Sequence, residues 1–186
     1  MRIISGKYKG RVLTSFQADH IRPTTDRVKE SLFNKWMSLV GEARVLDLFS
    51  GTGNLGIESL SRGAIHVDFV ELNAKSIIIL KKNIELLKIE KSFFSISKAD
   101  VLSFVKSYQG KPYDLILADP PFTEKMAHLV MEALDKSACI GPETKIAIES
   151  QKKERMDDQY QNLIRYDFND YGDKVLSFFE KKTEDL

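Results

Sequence analysis

The feature that most narrows what this chain can fold into is a short loop, Gly51-Thr52-Gly53-Asn54-Leu55-Gly56, set between a strand and a helix. Arg44-Val45-Leu46-Asp47-Leu48-Phe49 precedes it, an aliphatic run of the kind buried on both faces of a parallel sheet. Residues 55–62 follow with helical character and stop at Gly63, which suits a helix C-terminal cap. Glycines allow a tight turn and a close approach to a ligand, and the helix N-terminus favours a negative group. In this context G-x-G-x-x-G reads as a nucleotide-binding turn. The alternative is a structural turn with no ligand.

The rest of the chain repeats the alternation. Strands are expected at 66–72, 93–97, 113–118 and 144–149, and helices at 74–88, 101–108 and 124–136. On the first of these helices, 74–88, Ile77, Ile78, Leu80, Ile84 and Leu87 are placed on the inner side. An amphipathic helix is read over 26–40 from Val28, Leu32, Trp36 and Leu39, capped by Thr24 or Thr25 after Pro23. Trp36 and the aliphatic stripes are assigned to packing. Strand–helix alternation predicts an α/β fold with a parallel sheet covered on both faces. Two departures are expected. Residues 2–14 read as a short hairpin around Gly6-Lys7-Tyr8-Lys9-Gly10. Strands 163–168 and 174–179, joined by Asn169-Asp170-Tyr171-Gly172-Asp173, make one late strand antiparallel.

Glu71 lies 20 residues after Gly51, where a carboxylate accepts both ribose hydroxyl protons. That alone fits a nicotinamide dinucleotide. Two features point elsewhere. A chain of 186 residues is short for a second mononucleotide half and a substrate domain. Asp47 also gives Asp-x-Phe-x-Gly-x-Gly, and an acidic group there suits a ligand with an ammonium and no pyrophosphate. S-adenosylmethionine carries an ammonium, a carboxylate, a ribose and an adenine. Candidate contacts are Asp47, Ser50, Gly51 and Gly53 on the first loop and Glu71 and Leu72 on the second. The third strand ends at Ala99-Asp100-Val101, where Asp100 is placed to accept from the adenine amino group, and Asp119 is counted with the cofactor contacts.

Asp119-Pro120-Pro121-Phe122 follows the apolar strand Tyr113-Asp114-Leu115-Ile116-Leu117-Ala118 and so belongs at the carboxyl end of the sheet, beside the glycine loop. Two prolines fix the backbone and remove two donors, leaving the Asp119 carboxylate and the Pro120 carbonyl as acceptors. Phe122 adds a flat apolar face. This set suits an aromatic amine, whose lone pair is delocalised into its ring. Acceptors on both N–H bonds hold the nitrogen and direct the lone pair at a methyl donor, a catalysis of positioning. Asp119 is also placed to take the released proton. Stacking contributes ~1–3 kcal/mol per base and offsets much of the few kcal/mol that extruding one costs. The competing reading is a proline-stiffened turn; its place after the fourth strand, with the glycine loop upstream, favours catalysis.

Charge is distributed unevenly. Residues 1–35 carry eight basic side chains (Arg2, Lys7, Lys9, Arg11, Arg22, Arg27, Lys29, Lys35) against three acidic ones, and the remainder carries 20 against 24. A basic head suggests an anionic partner docking there, or a solvated arm. No apolar run approaches the ~20 residues of a membrane span, and no secretory leader is read at the start. Cys139 is the one cysteine, and His20, His66 and His128 are scattered, so neither a disulfide nor a metal is expected. A cytoplasmic location and a monomer are the expectations.

Arg22-Pro23-Thr24-Thr25-Asp26-Arg27-Val28-Lys29-Glu30-Ser31-Leu32-Phe33, the 47–56 loop and Asp119–Phe122 together resemble the RsmD family, bacterial 16S ribosomal RNA guanine-N2 methyltransferases. The Arg-Pro-Thr-Thr-Asp-Arg segment is the specific part; the other two motifs are shared by many amino-methyltransferases. The resemblance implies a Rossmann-like class I methyltransferase with a seven-stranded, mostly parallel sheet, one antiparallel strand and an N-terminal β-hairpin extension. The expected layout is one domain over 1–186, with a basic hairpin at 1–20 and a helix plus core at 21–186. It implies S-adenosylmethionine as cofactor and a guanine within ribosomal RNA, in the assembling small subunit, as target. Asp119, Pro120, Pro121 and Phe122 would hold the guanine, and Arg22, Thr24 and Arg27 would border the site. Lys7, Lys9 and Arg11 are read as phosphate contacts, which position rather than specify.

Rivals are an adenine-N6 DNA methyltransferase, for which no target-recognition segment is seen, and a glutamine-amide methyltransferase, which usually has asparagine before Pro-Pro. From other classes come an NAD-dependent oxidoreductase and a non-catalytic RNA-binding protein on the same fold.

Overall fold

The computed structural model describes residues 1–16, 26–123, 125–154 and 156–183. Aliphatic runs form the parallel strands β1 (Arg44–Leu48), β2 (His66–Glu71), β3 (Phe94–Lys98), β4 (Tyr113–Ala118) and β5 (Ile140–Gln151). With β6 (Leu163–Asp170) and β7 (Lys174–Lys181) they make a seven-stranded sheet ordered β3-β2-β1-β4-β5-β7-β6. β7 runs antiparallel to both its neighbours, β5 and β6.

Helices α1 (Asp26–Lys35), α2 (Asn54–Ser61) and α3 (Ala74–Leu86) cover one face; α4 (Val101–Ser107) and α5 (Met126–Leu134) cover the other. Successive strand residues point to opposite faces, so each apolar run feeds two cores. Val45, Val67, Leu115 and Phe178 pack under α1–α3, while Leu46, Ile116, Ile146 and Phe179 pack under α4 and α5. The sheet proceeds outward from β1 in one direction and from β4 in the other. The crevice between their carboxyl ends is where such sheets bind ligands. Leu48 pairs with Ala118, so the loops starting at Phe49 and Asp119 leave the sheet side by side.

Residues 1–14 are fastened to α2 by a buried polar cluster. The Glu58 carboxylate accepts the backbone N–H groups of Ile4 (2.9 Å) and Ser5 (3.1 Å) and the Arg62 guanidinium (2.8 Å), and meets Lys29 Nζ at 3.3 Å. Lys29 also donates to the Arg2 carbonyl (2.6 Å) and Asn54 Oδ1 (2.9 Å). Farther along, Asn83 Nδ2 donates to the carbonyls of Thr14 and Thr52, and its Oδ1 accepts from Thr14 N.

Several expectations shift in detail. The hairpin reduces to one antiparallel bridge, Arg2–Val12, because residues 5–10 are taken up in turns. Val12 is exposed while Ile3 and Leu13 are buried. The first helix ends at Lys35; Val40, four residues past Trp36, enters the core in place of Leu39. In α3, Ile77, Leu80 and Ile84 face inward and Ile78 is exposed, as its position next to Ile77 on a helix requires. β5 is longer than expected, with a register irregularity between Tyr113 and Leu115 that sets residues 141–144 against Asp114 alone. The capping threonines Thr24 and Thr25, with Arg22, lie outside the described residues.

Candidate active site

Every parallel strand delivers an acidic residue at or just past its carboxyl end: Asp47, Glu71, Asp100, Asp119 and Glu149. Three surround the glycine loop. Asp47 is buried, and its Oδ2 accepts the Gly56 N–H at 2.9 Å. Burial, with Asp119 and Glu71 nearby, pushes its pKa up to about 8 against the relief of that one hydrogen bond. Glu71 grips both neighbouring loops, its Oε2 accepting from Gly51 N (2.8 Å) and its Oε1 from Asn73 N (2.7 Å). Ser50 Oγ lies 2.7 Å from the Asp47 carbonyl and 3.1 Å from that of Val70, and so ties β1 to β2.

Two of the three motif glycines serve the protein's own packing. A Cβ on Gly53 (φ 92°) would meet Leu80 Cδ1 at 2.4 Å, and one on Gly56 would meet Phe69 Cε1 at 2.3 Å and Asp47 Oδ2 at 2.7 Å. Gly51 faces open space, with nothing nearer than the Phe49 carbonyl at 3.9 Å.

Asp100 caps α4, its Oδ1 accepting both Ser103 N and Ser103 Oγ at 2.9 Å; those bonds hold its pKa below the usual range. Val101 is buried behind it, and Leu72 is exposed.

The second motif borders a cavity of about 860 Å³ walled by residues 119–122, 151–153 and 172–174. Pro120 is buried, while Pro121 and Phe122 are exposed at the mouth. Lys174 Nζ stands 4.9 Å from the centre of the Phe122 ring and pairs with Glu149 Oε1. Asp119 is the junction, acting electrostatically on Asp47 on the glycine-loop side and on Glu149 on the cavity side. Among the described residues no group of His, Cys, Asp and Glu side chains is arranged to hold a metal ion.

The structure therefore brings together Asp47, Gly51, Glu71, Asp119, Pro120, Pro121 and Phe122. It does not bring Lys7, Lys9 and Arg11 to the cavity. Lys7 N bonds to the Ser61 carbonyl, at the far end of α2 and ~12 Å along that helix from the glycine loop. Arg11 reaches the Leu86 carbonyl at the end of α3, and Arg27 is exposed on α1. Sequence reasoning missed Glu149, Lys152, Lys153 and Lys174. A carboxylate closing the aliphatic run Ile146-Ala147-Ile148, as Asp119 follows β4, was a usable signal for the first.

A family described as "Conserved hypothetical protein 95" matches residues 1–180. "Ribosomal RNA small subunit methyltransferase D" of Haemophilus influenzae is 37% identical, over 82% of this chain and 79% of that protein. Its namesake in Escherichia coli strain K12 is 33% identical, over 81% and 75%. The chain belongs to the RsmD family. Solved structures agree with an RsmD fold throughout: yhhF of E. coli superposes with a TM-score of 0.87 at 27% identity, covering 99% of both chains. HI0767 of H. influenzae gives 0.83 at 31%, covering 97% of both. The class I methyltransferase architecture expected of an RsmD protein is the one observed.

Proposed function

We propose that this chain transfers a methyl group from S-adenosylmethionine to the exocyclic N2 amine of a guanine in 16S ribosomal RNA. The observation that carries the reading is the position of Asp119, between the acidic glycine-loop crevice and an open cavity of about 860 Å³.

The crevice residues fit the cofactor. Glu71, and Asp47 once a neighbouring cation draws off its proton, suit a ligand bearing a sulfonium and an ammonium and would disfavour a dinucleotide's pyrophosphate. Glu71 would accept the ribose hydroxyls, with Asp47 facing the ammonium and Leu72, Asp100 and Val101 near the adenine. When bound, the cofactor supplies an electrophilic methyl group. The chain's own residues do the rest. Asp119 and the Pro120 carbonyl accept the two amine N–H bonds and orient the lone pair, and Asp119 takes the proton lost as the N–C bond forms. Phe122, exposed at the mouth, offers a stacking face, and Lys152 and Lys153 on the rim suit flanking phosphates. The partner is the RNA of the assembling small subunit, met by a cytoplasmic monomer. Among the described residues no helix is long and apolar enough to cross a membrane.

The test is transfer of labelled methyl to naked 16S RNA, to unmodified small subunits and to duplex DNA, followed by nucleoside analysis. N2-methylguanosine is expected, and Asp119→Ala should abolish it while leaving cofactor affinity within about threefold. Label in N6-methyladenine, or full turnover by the variant, would overturn the reading.

A further inference from the structure

Glu149 is buried on β5, and its two carboxylate oxygens have different surroundings. Oε1 pairs with Lys174 of β7. Oε2 is buried with no conventional hydrogen-bond donor. Across the β4–β5 pair Ala118 lies opposite Ile148, so the residue beside Glu149 is another carboxyl, Asp119, and it acts on the Glu149 carboxyl. Two carboxyl groups satisfy each other only when one proton lies between them, since an ionised carboxylate accepts but cannot donate.

We infer that Glu149 is a positioning residue of the active site: held by Lys174, it donates a proton into a hydrogen bond with Asp119 and fixes that carboxylate in one orientation. Asp119 is thereby held in one setting toward the substrate amine. This rests on the reading that Asp119 receives that amine. The electrostatics of the pair agree in direction. Burial first, and then Asp119, push Glu149 up to about 7, against the pull of Lys174. Among the described residues the charged groups with the largest effect on Glu149 are Asp119, just past β4, and Lys174 on β7, from the two sides of β5. Below that pH the pair keeps its proton; above it, the two carboxylates repel and Asp119 loses its fixed setting.

Glutamine at 149 preserves the geometry without the titration, because its amide N–H donates to Asp119 and its carbonyl accepts from Lys174. Glu149→Gln should keep kcat within about threefold of wild type and remove the alkaline limb of the kcat–pH profile. Glu149→Leu should lower kcat at least 30-fold, with the KM for RNA and the cofactor affinity unchanged. Should the single leucine variant fail to fold, Glu149→Leu with Lys174→Met removes both members of the buried pair and is expected to show the same kcat loss. Independently of turnover, carboxyl-carbon NMR should find a resonance titrating near neutrality that is absent in E149Q and moves at least one pH unit lower in D119N. An unmoved resonance in D119N, E149Q as inactive as E149L, or both variants at wild-type kcat with an unchanged pH profile would each overturn the inference. A wild-type enzyme that makes no N2-methylguanosine while the NMR shift is observed would instead overturn the functional reading and leave the carboxyl pair standing.

Discussion

Glu58 and Lys29 form a fully buried pair, yet the two residues should contribute very unequally to stability. Glu58 is the acceptor for four donors: Lys29, Arg62 and the backbone N–H groups of Ile4 and Ser5. Glu58→Ala strands all of them. Breaking a buried pair from one side costs about 3–5 kcal/mol, and each abandoned buried amide adds about 1–3 kcal/mol until the arm rearranges. Lys29 limits the total: burial already lowers its pKa, Glu58 is the chief influence raising it, and without Glu58 that pKa falls further, which eases the cost of the buried charge. A loss of about 4 kcal/mol is expected. Lys29→Met is milder. Glu58 keeps three donors, the Arg2 carbonyl belongs to an exposed residue that water can reach, and methionine fills the volume, so about 1–2 kcal/mol is expected. Urea unfolding followed by circular dichroism measures both. If Lys29→Met proves as damaging as Glu58→Ala, the hub is the lysine and the donor argument is wrong.

Gly56→Ala drives a methyl group into Phe69 and Asp47, and should cost about 1–3 kcal/mol and weaken cofactor binding, read by thermal unfolding and titration calorimetry. Asp47, with a pKa raised to about 8 in the unliganded protein, should ionise when a cationic ligand settles beside it. A bound cation lowers that pKa, so at pH 7 cofactor binding releases up to one proton. Calorimetry in buffers of differing ionisation enthalpy detects the release, and Asp47→Asn should abolish it. Charge reversal at Lys7, Lys9 and Arg11, on the flank of the molecule away from the cavity, should raise the KM for small subunits and flatten its salt dependence while leaving cofactor affinity untouched. An unchanged salt slope would remove that flank from the docking surface.

Strands such as Tyr113–Ala118 were readable because they are short aliphatic runs closed by a loop signal, and the sheet placed their ends where such runs must end. The two motif loops were readable for the same reason: each follows one of the paired strands β1 and β4, so linear order sufficed to bring them together. Local detail was less legible. Trp36 is followed at helical spacing by both Leu39 and Val40, and only the turn after Lys35 decides between them. The run Ile146-Ala147-Ile148 could have marked Glu149, but its pairing was not legible because Lys174 lies 25 residues away on a strand running in the opposite direction. The charge of Lys7 marked a basic surface but carried no information about which end of α2 it reaches.

The insertion of β7 between β5 and β6 also sets an order on the life of the molecule. A chain emerging from the ribosome completes its glycine loop and its Asp-Pro-Pro-Phe loop long before residues 172–174 are made, yet those residues form one wall of the cavity. Until then Glu149 lacks its lysine and the pocket stands open on one side. In a growing chain both motif loops are therefore made before the residues that complete the wall of the cavity beside them.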